Sequence, residues 1–255
     1  MTDRIAVITR PAAQALPLMR QLIARGRTYE LFPLLEILPL SDATHLRATL
    51  ARLKDYALVA FVSPNAIDAV FQCISTWPAG VAIGVMGAGS RAALATHGIS
   101  DDHVHIVSPV DPARTDSETL LAALDLPALN KQRVLIVRGE SGRELLADGL
   151  RAAGADVEQL AAYRRVAPAF TEHRRQQLSG LLETPCDWIV TSSEGLRTLL
   201  DWATQLPGQG AVAKMQQQHL IVPHVRIAET AKNMGFQSIT LTGSGDERLL
   251  VALQS

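Results

Sequence analysis

The sequence predicts an α/β protein built from two parallel-sheet domains, and three observations carry that expectation. Short β-branched runs alternate with longer stretches of helical periodicity, the pattern of parallel strands covered by helices on both faces. The 255 residues are about twice the commonest domain size. The order of the strand–helix units also repeats once along the chain.

The elements follow in order. Apolar runs predict strands near 4–9, 57–62, 81–86, 103–108, 133–138, 187–191, 219–223 and 238–242. The stretches between them are amphipathic. In 141–153, Leu145, Leu146, Leu150 and Ala153 recur at helical spacing while Arg143, Glu144, Asp148 and Arg151 face away, which predicts a helix there. Gly26, Gly98, Gly154 and Gly235 each end a helical stretch before a strand, where a left-handed C-terminal cap belongs.

The repeat pairs Ile8-Thr9-Arg10-Pro11 with Val137-Arg138-Gly139, and Phe61 to Ile67 with Val190 to Leu196. Arg10 and Arg138 lie 128 residues apart, and Ser63 and Ser192 129 apart. The turn Gly87-Ala88-Gly89-Ser90-Arg91 is matched more loosely by Pro223-His224-Val225-Arg226. Two segments, Tyr29 to Leu40 and Val157 to Pro168, read as long, extended and proline-ended, each after the first βα unit of its half. Such segments are suited to crossing between domains, in which case the sequence halves are not the spatial domains.

Composition excludes several classes. Apolar residues are 47% and charged ones 19% of the chain, with a mean hydropathy of +0.13, so bulk disorder is out. Lys plus Arg number 24 against 25 Asp plus Glu, so no global basic field points to nucleic acid or an anionic membrane. Cys73 and Cys186 are far apart; buried, inert thiols in a reducing compartment are the expectation. The start, Met1-Thr2-Asp3-Arg4 and a short apolar run to Arg10-Pro11, is too short for a secretory leader, and no apolar stretch reaches membrane-spanning length. A cytoplasmic location follows as an expectation.

In a parallel α/β sheet ligands bind beyond the carboxyl ends of the strands, where helix starts present free N–H groups. The residues predicted there are Thr9, Arg10, Ser63, Asn65, Gly87, Gly89, Ser90, Arg91, Arg138, Gly139, Ser141, Thr191, Ser192, Ser193, His224 and Arg226. Hydroxyls, glycines and guanidiniums without an Asp or Glu pair suit carboxylates or phosphates; the hydroxyls also serve as helix N-caps. Gly87 to Ala92 matches the dinucleotide fingerprint poorly, because the next predicted strand ends without the ribose-binding acid. His103 and His105 share a face of a predicted strand, but no third metal ligand stands near them. Arg164-Arg165 and His173-Arg174-Arg175 read as solvated faces. A non-enzymatic two-domain binder of a small anionic ligand would share all these features.

The segments VITRP at Val7 to Pro11, FVSPNAID at Phe61 to Asp68, GAGSRAAL at Gly87 to Leu94, VLIVRGESGRELLADGLRAAGADVEQLAAYRR at Val134 to Arg165 and PHVRIAETAKNMGF at Pro223 to Phe236 together resemble the uroporphyrinogen-III synthase family. The resemblance implies two flavodoxin-like domains joined by a two-stranded linker: residues 1–35 with 167–255, an inserted domain 41–158, and linkers near 36–40 and 159–166. It implies a cofactor-independent cyclisation of hydroxymethylbilane to uroporphyrinogen III, with loss of water and inversion of the last pyrrole ring. Tyr163, in the most specific block, is the implied proton donor, and the strand-end residues the implied holders of the substrate's carboxylates. A monomer with at most transient contact to hydroxymethylbilane synthase completes the expectation.

Overall fold

The computed structural model describes residues 4–109, 116–208 and 210–254. Met1 to Asp3, where the leader reading begins, lie outside the described residues. The chain divides into two compact units, 1–36 with 166–255, and 37–165. It starts in the first unit with β1 (Ile5–Ile8), α1 (Ala12–Ala24) and β2 (Tyr29–Leu31), and crosses within β3 (Glu36–Pro39). The second unit continues with α2 (Thr44–Leu50), β4 (Leu58–Phe61), α3 (Pro64–Phe71), β5 (Ala82–Val85), α4 (Ala88–Thr96), β6 (Ile106–Val107), α5 (Ser117–Ala123), β7 (Arg133–Gly139), α6 (Leu145–Ala152) and β8 (Asp156–Val166). The return adds α7 (Glu172–Leu182), β9 (Cys186–Ile189), α8 (Ser193–Thr204), α9 (Ala211–Gln217), β10 (His219–Val222), α10 (Val225–Asn233), β11 (Ser238–Leu241) and α11 (Asp246–Ala252).

The sheets have orders β11-β10-β9-β1-β2 and β3-β8-β7-β4-β5-β6, and β1, β9 and β10, like β4, β5 and β7, pair in parallel. Counted from β1, the first order is that of flavodoxin-like folds. Counted from β7, the second is the same order, with β3 added outside β8. The sequence repeat thus has a structural basis, since β1 corresponds to β7, β2 to β8, and β9 to β4.

Both faces of each sheet are buried, so successive strand residues enter opposite cores. In β1, Val7 joins Trp188, Leu199 and Ile227 on one face, while Ala6 and Ile8 join Leu18 and Leu249 on the other. In β4, Val59 and Phe61 pack with Ile67 and Leu94, and Leu58 and Ala60 with Leu120 and Leu146. The caps at Gly26, Gly98, Gly154 and Gly235 have φ of 65°, 75°, 88° and 86°. No helix among the described residues is long and apolar enough to cross a membrane.

Four expectations are corrected. Tyr29 to Leu40 is two short strands, because Pro33 has no N–H and the Leu34 N–H donates to the Thr9 carbonyl at 3.1 Å, turning the chain. The helix expected from 141 starts at Leu145, because the preceding residues form a loop over Arg138. The strand expected at 103–108 is only Ile106–Val107; the His103 N–H closes a turn onto the Ser100 carbonyl. Cys186 is buried, with burial pushing its thiol up to about 11, but Cys73 is exposed, just past the end of α3.

Each sheet carries an ionic anchor toward the amino ends of its strands. Asp187, 4% exposed, accepts from Arg4 at 2.6 Å and Arg27 at 3.1 Å and bonds His219 Nδ1 at 2.8 Å, with His219 Nε2 on Thr240 Oγ1 at 2.8 Å. In the second unit Tyr56 donates to Glu158, Arg133 reaches Glu158 at 3.2 Å, and burial followed by that carboxylate pushes the Tyr56 hydroxyl up to about 12.

Two outcomes are expected. A fragment spanning 37–165 should unfold cooperatively by itself in urea, whereas a fragment 1–128, which lacks both β7 and β8, should show no cooperative transition. Burial raises the Asp187 pKa, but the His219 and Arg4 hydrogen bonds outweigh it and hold the carboxyl below its usual value. Its contribution is therefore complete above the unfolded value of about 3.9 and is lost as pH falls through the lower folded value. D187N should lower urea stability by about 3 kcal/mol at pH 7, with a smaller difference from wild type at pH 3.

Candidate active site

The centre of the second sheet ends in a glycine, Gly139, against which an aromatic ring packs closely. The β7–β8 register shifts between Arg138 and Gly139, so that Arg138 faces Ala161 but Gly139 faces Tyr163, leaving Ala162 as the extra residue of a bulge. A Cβ on Gly139 would stand 3.1 Å from the Tyr163 ring. The ring is buried with the α3 and α4 core, and its hydroxyl lies 3.0 Å from Ser63 Oγ. Ser63 is at the same time the N-cap of α3, accepting from the Ala66 N–H at 3.2 Å. This contact lies where β7 and β4 end side by side, the point at which strand order reverses and ligands bind in open α/β sheets.

The neighbouring predicted residues serve in different ways. Asn65 lies in the first turn of α3; Gly87 is the N-cap of α4, with Gly89 and the buried Ser90 in its first turn. Arg91 holds the short β6 region: it donates to Ser108 at 2.9 Å, Asp101 at 2.7 Å and the Ile106 carbonyl at 3.1 Å. Its guanidinium is a structural clamp in this structure.

Beside Gly139 lies a cavity of about 400 Å³ lined by Arg138, Gly139, Glu140, Ser141, Gly142, Glu144, Gln159 and Ala161. Arg138, 8% exposed, donates to Glu144 at 2.7 Å and to Gln159 Oε1, while Gln159 Nε2 donates to Glu144 at 2.5 Å. Those hydrogen bonds, Gln159 first and then Arg138, hold the Glu144 carboxyl below its usual range. Sequence reading missed Glu144 and Gln159. Their only signal is indirect: Gln159 is a polar residue within an apolar strand pattern.

In the first unit the equivalent edge carries Thr9, Arg10, Thr191, Ser192, Ser193, His224 and Arg226. Thr9 is buried and donates to the Ile189 carbonyl at 2.8 Å, which ties β1 to β9. Arg10 pairs with Asp246 at 2.5 Å. Thr191 follows β9; Ser192 caps α8 through the Gly195 N–H at 2.9 Å, and Ser193 meets Thr230 at 3.2 Å. His224 stands at the N-cap position of α10 without a side-chain cap bond and lies 3.4 Å from Ser244, with Arg226 exposed in the first turn of that helix. The predicted residues thus form one group in each unit.

The side sequence signals resolve differently. Arg174 bonds the Pro33 carbonyl at 2.9 Å and lies over the Phe32 and Trp202 rings, and Arg175 lies 4.5 Å over Phe170, so these guanidiniums pack rather than simply face solvent. No cluster of three metal-ligating side chains occurs among the described residues.

A family model described as uroporphyrinogen-III synthase HemD matches residues 17–242. Proteins named uroporphyrinogen-III synthase from Salmonella typhimurium and Escherichia coli are each 31% identical over 256 residues, covering 97% of this chain and 99% of their own. The crystal structure of a mutant uroporphyrinogen III synthase from Thermus thermophilus is similar in fold, with TM-score 0.61 at 14% identity over 98% of both chains. That of uroporphyrinogen-III synthetase from Helicobacter pylori has TM-score 0.59 at 18% identity, over 98% of this chain and 99% of its own. With the family model spanning most of its length and relatives aligned from end to end, the chain belongs to the uroporphyrinogen-III synthase family.

Proposed function

We propose that this protein closes the linear tetrapyrrole hydroxymethylbilane into uroporphyrinogen III, releasing water and inverting the last pyrrole ring. The observation that carries the reading is the end-to-end match to uroporphyrinogen-III synthases. The arginines, hydroxyls and helix starts at the carboxyl edge of each sheet suit a substrate with eight carboxylates.

The chemistry asks little of the protein beyond position. The pyrrole nitrogen pushes out the hydroxyl group, which takes a proton and leaves as water, giving an azafulvene. The substituted carbon of the last ring attacks it, and the resulting spiro intermediate fragments and recloses with that ring inverted. The final ring carbon then returns a proton, so that the balance is the loss of one water. Holding the bilane in the conformation that directs attack to the substituted carbon is catalysis by positioning.

Tyr163 is our candidate for the proton donor. Ser63 Oγ accepts from the Ala66 N–H and lies 3.0 Å from the Tyr163 oxygen, a contact in which either hydroxyl can donate. With the serine as donor, the tyrosine O–H is left for the substrate and the serine proton steadies the phenolate that forms. Binding is shared among Arg10, Ser63, Asn65, Gly87, Gly89, Ser90, Arg138, Gly139, Thr191, Ser192, Ser193, His224 and Arg226, with backbone N–H groups at the helix starts.

Fresh hydroxymethylbilane incubated with the protein, oxidised and separated by porphyrin isomer should give type III above the spontaneous type I background. Type I alone at every enzyme concentration would overturn the reading. Y163F removes the hydroxyl and keeps the ring; it should lower kcat by about 10²-fold, the low end of general acid catalysis because the pyrrole nitrogen already drives the departure. A kcat within threefold of wild type would remove Tyr163 as the acid, and a lowered melting temperature in Y163A alone would leave it a packing residue.

A further inference from the structure

The two arginines at the carboxyl ends of the equivalent strands β1 and β7, Arg10 and Arg138, are both charge-compensated within the protein, but not in the same way. Arg10 and Asp246 are about equally enclosed, with side chains 15% and 21% exposed. Arg138 and Glu144 are not: the guanidinium is 10% exposed and the carboxylate 54%. A guanidinium this enclosed needs an anionic partner at all times. The loop also packs against it, since a Cβ on Gly142 would stand 2.5 Å from its Nη2. Arg138 therefore stays in place while Glu144 can turn out into water, where a carboxylate is well solvated.

The same cavity that opens onto Arg138 is lined by Glu144 and Glu140. A substrate carboxylate entering there meets two negative charges unless one moves. Gln159, donating to Glu144 and accepting from Arg138, is neutral and bonds either carboxylate equally well. We propose that Glu144 is an exchangeable partner of Arg138: it holds the guanidinium in the free protein, gives it up to a carboxylate of the bound tetrapyrrole, and so sets substrate affinity. This deepens the function proposed above and rests on it for the identity of the carboxylate. Because one carboxylate replaces another, the charge around Arg138 stays constant, and the contact selects for an anionic arm without binding it irreversibly.

The test is a titration of the full-length protein with uroporphyrin III, the stable octacarboxylate oxidation product, followed by porphyrin absorbance. E144Q keeps the shape and hydrogen-bonding reach of the side chain but competes less for Arg138. It should bind about three- to fivefold tighter, the range expected for removing one exposed ion pair that the ligand must displace, and KM for hydroxymethylbilane should fall in parallel. E140Q removes the same charge from the same cavity without releasing Arg138, and should gain less than half as much. The double variant R138A/E144Q should bind no tighter than R138A, the coupling that a shared partner requires. Melting temperatures accompany each titration, so that a loss of fold is seen directly.

An E144Q protein that binds equally or more weakly, an equal gain in E140Q, or a gain that persists without Arg138 would each overturn the exchange. Porphyrin binding is read without turnover, which separates this inference from the reaction. Type III formation with unshifted E144Q binding defeats the exchange alone, and the predicted shifts in a protein that forms only type I defeat the cyclisation alone.

Discussion

In a parallel sheet every strand leaves by the same edge, and the helix that follows starts there with unpaired N–H groups. The rest of this structure depends on that constraint. Polar residues at the carboxyl edge, such as Ser63 capping α3 and Ser192 capping α8, complete a helix at the edge where open α/β sheets take their ligands. The amino end has no such role, and there the structure places its ionic anchors, Asp187 among Arg4, Arg27 and His219 in one unit and Glu158 with Tyr56 and Arg133 in the other. The amino end of each sheet thus gathers the buried ion pairs, while the carboxyl end carries the helix starts and their caps.

The units share a frame and differ beside the capping serine. Because β1 and β2 belong with β9 to β11, and β7 and β8 with β4 to β6, each unit combines the opening of one sequence half with the remainder of the other. After β7 the bulge sets Tyr163 against Gly139 with its hydroxyl at Ser63. After β1 the chain bends at Pro33 and sets Leu34, fully buried, against the first turn of α8, where a Cβ on Gly195 would stand 3.5 Å from it. A tyrosine therefore stands beside the capping serine in one unit and a leucine beside the capped helix in the other. The proton donor proposed above thus has no counterpart beside the capping serine of the first unit.

Arginine shows why residue type alone underdetermines a site. Arg91, Arg138, Arg174 and Arg175 look alike in the sequence. In the structure one clamps β6, one anchors the loop before α6, and two pack against aromatic rings and carbonyls. A guanidinium has five donors and seldom stays free when half-buried, so its role depends on which acceptors arrive beside it, and those come from distant positions: Gln159 reaches Arg138 across 21 residues, and Asp246 reaches Arg10 across 236.

The amino-acid sequence by itself determined the α/β class, the alternation of strands and helices, the helix-ending glycines and the group of strand-end hydroxyls and arginines. Each is a local property, written in periodicity or in the conformational freedom of a single residue. The repeat of Ser63 in Ser192 was legible for the same reason, since equivalent strand–helix turns need equivalent caps. Only the tertiary structure decided that Tyr163 meets Ser63, that Glu144 and Gln159 enclose Arg138, and that the expected strand at 103–108 shrinks to Ile106–Val107 behind a turn. Those outcomes turn on a one-residue register shift, on which strand neighbours which, and on partners far apart along the chain. Pairwise geometry of that kind leaves no mark in a linear pattern, because the residues acquire it only when the sheets assemble.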